Sequence, residues 1–145
     1  MLTTLFGRTG KKKIKEIDSF SFRYTCGDCA NADVEYSLKR EKGCCYAFIK
    51  PDGVPPEEEI CFPADDSFVW ALEEFLALHR VEKWNHFNGS DTNVSDGNSF
   101  RLHITAADGC QLLACGYEKW PKNYQAVKDG LDALFRQAEK NKKSD

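Results

Sequence analysis

The sequence predicts an α+β fold: an antiparallel sheet of five to six strands with two helices packed on one face, in the order β-β-β-(β)-α-β-β-α. Three observations predict it. Apolar and polar residues alternate in several short runs, the period of strands that bury one face. Two longer segments repeat their apolar residues at helical spacing. The connections between runs are short, which favours antiparallel neighbours and helices gathered on one side.

Residues 1–13 form a flexible basic lead-in. Their GRTGKKK stretch reads as a solvated terminus, because its glycines lack the spacing of a phosphate loop. A single domain is expected over residues 14–138, followed by a polar tail at 139–145. In the first strand Phe20, Phe22 and Tyr24 alternate with Ser19, Ser21, Arg23 and Thr25. The turn-rich CGDCANAD leads to a second strand, with Val34, Tyr36 and Leu38 on one face and Glu35, Ser37 and Lys39 on the other. Glu41-Lys42-Gly43 turns the chain into a third strand, Cys44 to Lys50. Pro51-Asp52-Gly53 and Pro55-Pro56 break it, and a short fourth strand occupies Glu58 to Phe62.

Then the period changes. Asp65 is the N-cap of an amphipathic helix running to about Arg80, with Phe68, Leu72, Phe75, Leu76 and His79 on one stripe. A second helix begins near Asn123, after Pro121, with Tyr124, Val127, Leu131, Leu134 and Phe135 on its stripe. Gly130 weakens that helix by about 1 kcal/mol relative to alanine.

Between the helices lies a hairpin. Phe100, Leu102 and Ile104 alternate with Arg101, His103 and Thr105, and Asp108-Gly109 offers the two positive φ angles of a type I′ turn. Folding about that turn places Ile104 opposite Leu113, Leu102 opposite Cys115 and Phe100 opposite Tyr117, all on one face. A slip of one residue would turn them to the other face.

Composition narrows the function classes. Hydrophobic residues make up 41% and charged residues 30% of the 145, as in ordinary globular domains. A formal net charge of −3 provides no field to recruit nucleic acid or an anionic membrane. No apolar run approaches the ~20 residues that span a bilayer. The N-terminal apolar patch is short and precedes the basic run, so it does not read as a secretory signal, and a cytoplasmic protein is expected. The seven cysteines, an odd number, read as free thiols.

Several constellations invite a chemical reading. Cys26-x-x-Cys29 lacks the following helix that activates a redox pair. Cys26, Cys29, Cys44 and Cys45 offer four thiolates for zinc, but the neighbours Cys44 and Cys45 should point to opposite strand faces. Metal and cofactor are therefore not expected. In the loop NGSDTNVSDGN, Asp91, Asn93 and Ser95 alternate as in a calcium loop. The glycine is displaced to Gly97, however, and Leu102 stands where the closing glutamate belongs, so a loop ordered by Asx-turns is expected instead. The Asn88-Gly89-Ser90 and Asn93-Val94-Ser95 sequons have no meaning without secretion. His79 reads as packing, and no serine or cysteine is paired with His103. No motif assigns a reaction.

The leading expectation is a non-catalytic small binding or interaction module with a protein or small ligand as partner. Its candidate surface is Trp84, His86, Asn88, Asp91, Asn93, Asp96, Tyr117 and Trp120, where aromatics flank a polar loop. Trp84 is expected to be structural and Trp120 the more exposed of the two. The alternative is an enzyme or metal-binding protein using His86, His103, Asp91 or Asp96.

Lys83-Trp84-Asn85, Ser90-Asp91, Val94, Asp96-Gly97-Asn98-Ser99-Phe100, Asp108-Gly109, Gly116-Tyr117 and Trp120-Pro121 resemble an uncharacterised family of small bacterial proteins, many from anaerobic gut bacteria. The resemblance covers most of the chain from Ile17 to Phe135 and is densest from Trp84 to Tyr124. That family has no assigned activity, so the resemblance implies no catalytic residue. It implies one compact α+β domain in a bacterial cytoplasm, and the cysteine set is not part of its pattern.

Overall fold

Each run of alternating residues becomes a strand whose apolar side faces the same layer. The strands are β1 (Ile17–Thr25), β2 (Val34–Glu41), β3 (Cys44–Pro51), β4 (Ile60–Pro63), β5 (Asn88–Ser90), β6 (Ser99–Ala106) and β7 (Gln111–Tyr117). The helices are α1 (Asp66–Leu78) and α2 (Tyr124–Lys143), and a 3₁₀ turn spans Val81–Trp84. This computed structural model describes residues 16–26, 33–51, 55, 57, 59–95 and 97–143. The basic lead-in of residues 1–13, Cys29 and Asp96 lie outside them.

The seven strands form one sheet in the order β4-β3-β2-β1-β6-β7-β5. Cross-strand pairs set Phe20 beside Leu38 and Ile104, and Phe22 beside Tyr36 and Leu102. All six side chains are buried on one face. Both helices cover that face. From α2, Phe135 stacks on Phe20 (6.1 Å between ring centroids) and meets Tyr36 (5.3 Å); from α1, Phe68 meets Phe62 (5.9 Å) and Phe135 (5.1 Å). Tyr36 also sends its hydroxyl to the Asp132 carboxylate of α2, which Arg136 pairs from the next turn.

The start of α1 follows its capping chemistry. Asp65 accepts the Phe68 amide at 2.9 Å, and Asp66 lies in the first turn, where the helix dipole favours negative charge. Gly130 has a packing reason: a Cβ there would lie 2.2 Å from Cζ of Phe75, so the glycine lets α1 and α2 approach closely.

Three sequence expectations need correction. The sheet has seven strands rather than five to six, and it is mixed rather than purely antiparallel, because β5 runs parallel to β7. Three residues reading Asn-Gly-Ser carry no apolar alternation, so backbone bonding alone defines that strand: Cys115 N donates to Phe87 O (3.0 Å) and Asp91 N to Tyr117 O (2.9 Å).

The third correction is the register of the β6–β7 hairpin. Ile104 faces Leu112, Leu102 faces Ala114 and Phe100 faces Gly116, one residue from the expected pairing. The cause is the turn. Ala106 N donates to Cys110 O and Gly109 N to Ala106 O, closing a three-residue loop in which Gly109 (φ 91°) is left-handed and Asp108 is not. Asp108 instead accepts the Cys110 amide at 2.9 Å as an Asx-turn. One more residue in the loop exchanges the faces of β7, so Leu112 and Ala114 are buried while Leu113 is 49% exposed.

Candidate functional site

Two segments of tight backbone meet at the end of the sheet opposite the Asp108-Gly109 turn. Left-handed Arg80 (φ 56°) and His86 (φ 71°) bracket the turn that carries Trp84, and left-handed Glu118 (φ 55°) and Asn123 (φ 68°) bracket Trp120-Pro121. A side chain other than glycine resists this conformation by about 1–2 kcal/mol, so the surrounding contacts must hold it. They do. Trp84 Nε1 donates to the Lys122 carbonyl (2.9 Å), and Asn123 Nδ2 donates to the His79 carbonyl (3.2 Å).

Phe100 is the hub of the aromatic cluster beneath. Its ring lies 4.9 Å from Tyr124, 5.9 Å from both Trp84 and Trp120, and 6.2 Å from Phe87. Trp84 is only 3% exposed and completes this packing. Trp120 stacks on Tyr124 at 4.6 Å and keeps 37% of its surface in solvent, so it forms a wall instead of a plug.

On one side of that wall lies a cleft of about 540 Å³ bounded by Tyr24, Asn98, Glu118, Trp120, Tyr124 and Lys128. A second hollow, about 620 Å³, lies on the other side between Trp120, His79 and Lys83. Glu118 clasps the start of β6: its Oε2 accepts the Asn98 amide (2.6 Å) while its own amide donates to Asn98 O (2.9 Å). Lys128 Nζ sits 4.4 Å above the Tyr24 ring.

The Tyr124 hydroxyl is the unusual group. The residue is 7% exposed, lines the first cleft, and its hydroxyl has no hydrogen-bond partner among the described residues. Burial, reinforced by the neighbouring Tyr24, pushes its pKa well above the ordinary phenol range. It therefore stays a neutral donor and acceptor at physiological pH, and a buried hydroxyl without a partner costs about 1–3 kcal/mol. Glu82 Oε1, a buried carboxylate oxygen, borders neither cleft.

The sequence candidates divide among several places. Trp84 and Trp120 belong to the aromatic end just described. Asn88 and Tyr117 stand on the opposite face, away from α1 and α2. Asp91 and Asn93 serve the loop: Asp91 Oδ1 accepts the Asn93 amide (3.1 Å), and the Tyr117 hydroxyl accepts from Gly97 N (2.7 Å) and donates to Val94 O (2.8 Å). That is the Asx-ordered loop the sequence predicts. His86 is exposed at the β7 edge, its amide donating to Leu113 O, while His103 meets Gln111 Oε1 at 3.1 Å on β6. With β7 between them, the two histidines are about 10 Å apart by strand spacing.

Among the described residues no group of three or more His, Cys, Asp or Glu is placed to hold a metal. Cys45 points into the core while Cys44 is exposed, and Cys26 lies at the far end of the strands. Six residues of strand separate Val34 from Arg40, the partner of Cys45, or roughly 20 Å.

Sequence reasoning missed Tyr24, Asn98, Tyr124 and Lys128. Tyr24 and Tyr124 read as ordinary members of a strand face and a helix stripe, and only the β1–β6–α2 arrangement brings them together. No helix among the described residues is long and apolar enough to cross a membrane. No family model, curated protein or solved structure matches this chain.

Proposed function

We propose that this chain is a non-catalytic binding module that holds a small, neutral, ring-shaped ligand in the cleft between Trp120, Tyr124 and the Glu118–Asn98 clasp. The observation that carries the reading is the buried Tyr124 hydroxyl, left without a partner at the wall of a cleft. A ligand that hydrogen-bonds it removes a penalty the free protein bears. The half-open face of Trp120 favours a flat apolar surface, while Asn98, Glu118 and Lys128 supply polar groups of both signs at the rim. Opposite charges on one rim suit a polar ligand without net charge.

Free cysteines on β3, β4 and β7 support a reducing compartment, and the resemblance of the Trp84–Tyr124 stretch to small bacterial proteins supports a bacterial cytoplasm. The enzyme reading has less support, since His86, His103 and Asp91 converge on no common point.

Saturation-transfer NMR with a panel of neutral heteroaromatic and monosaccharide fragments tests the proposal. Binders should be lost in Trp120→Ala, and Tyr124→Phe should weaken them about threefold to tenfold, the worth of one neutral hydrogen bond. Binders that hold Trp120→Ala as well as the parent protein would overturn it.

A further inference from the structure

The face of the sheet opposite α1 and α2 holds another, differently built groove. Antiparallel pairing of β1 with β6 sets Arg23 directly opposite Arg101. Side chains so placed have Cβ atoms about 5 Å apart, and like charges there repel. Neither arginine makes a hydrogen bond or an ion pair among the described residues. The nearest acidic neighbour by register is Glu35, opposite Arg23 on β2, which accepts the Ser21 hydroxyl at 2.9 Å. Two unneutralised guanidinium groups thus share one position in the middle of the sheet.

Their surroundings are ordered in two rows across four strands. One row reads Arg23, Arg101, Cys115, Asn88; the next, two residues along each strand, reads Thr25, Ser99, Tyr117, Ser90. These residues border a groove of about 530 Å³, and among the described residues no aspartate or glutamate lines it. The second row consists entirely of hydroxyl groups.

We infer that this groove binds a phosphate monoester, with the phosphate held between Arg23 and Arg101 and a polar, hydroxyl-bearing body laid along Thr25, Ser99 and Ser90. Paired guanidinium groups match the planar, multidentate acceptor geometry of a phosphate group. A dianion also removes the repulsion between them. The groove is larger than one phosphate needs, and its remaining lining is hydrogen-bonding without charge. A polyol phosphate fits that chemistry, and inorganic phosphate would use only part of it. The site lies on the opposite face from the Trp120 cleft and stands or falls independently of it.

Titration of ¹⁵N-labelled protein with inorganic phosphate, glycerol 2-phosphate and, at matched ionic strength, sodium chloride tests the inference. Saturable amide shifts are expected at Arg23, Thr25, Ser99 and Arg101, with the ester binding more tightly than phosphate and chloride giving none. Arg23→Gln and Arg101→Gln should each weaken the ester about tenfold or more, as for loss of a charge-assisted hydrogen bond, and Arg101→Lys should recover only part of it. Lys39→Gln, on the same face but near the other end of β2, should bind as the parent does. Equal affinity for ester and inorganic phosphate would overturn the assignment to an ester. Absence of saturable shifts, or an equal loss in Lys39→Gln, would overturn the site altogether.

Discussion

Strand β6 shows the two faces of this sheet side by side. Phe100, Leu102 and Ile104 point into the helix-covered layer and are almost wholly buried, while Ser99, Arg101, His103 and Thr105 point to the side away from α1 and α2. The first set is specified by packing and the second by charge and hydrogen bonding. The difference teaches that apolar character alone does not assign a residue to the core. Leu113 is as hydrophobic as Leu112, yet half of it lies in solvent because the turn placed it on the open face. Stability in this fold therefore resides on one side, leaving the other free to carry groups, such as Arg23 and Arg101, that would be costly inside.

The contrast can be broken most severely at Trp84. Trp84→Ala is expected to cost about 3–5 kcal/mol in urea unfolding, as for a buried large aromatic. Trp120→Ala should cost only about 1–2 kcal/mol, since part of its area is never buried. A Trp120 loss equal to the Trp84 loss would refute that ordering. Next comes the adjacent leucine pair. Leu112→Ala should lose about 2–5 kcal/mol and Leu113→Ala less than about 0.5 kcal/mol. The reverse result would restore the register that the type I′ turn implies. The smallest effect sharpens the helix side: Gly130→Ala gains about 1 kcal/mol of helix propensity but drives a methyl group into Phe75, for a net loss of about 1–2 kcal/mol by thermal melting.

The two X-Gly turns explain why some of the fold was legible in the sequence and some was not. At Lys42-Gly43 both residues are left-handed (φ 52° and 80°), and Glu41 pairs with Cys44 as a two-residue turn requires. At Asp108-Gly109 only the glycine is, and the loop takes Ala107 as well. The letters could not separate these cases, because Leu112-Leu113 and Ala114-Cys115 present similar residues in either register. The helices were plain from their stripes and the Asp65 cap. β5 was invisible because it has no side-chain pattern. For the cleft, the sequence pointed to the right end of the sheet through Trp84 and Trp120. The partners came from β1, β6 and α2, and no spacing along the chain relates Tyr24 to Tyr124.

The place of β1 in the sheet has a consequence for how the chain is made. The first four strands form a meander whose hairpins close between sequence neighbours, but β1 lies at the centre of the finished sheet and takes β6 on its other side. As the chain emerges from the ribosome, β1 pairs early with β2 and then waits with one row of amides and carbonyls bare. Its second partner does not exist until Ser99–Ala106 has been synthesised. During that interval Phe20 and Phe22 also lack the α2 residues that cover them. Until then the nascent protein carries an open, apolar strand edge, the condition in which chains pair with one another or need a chaperone to keep them apart.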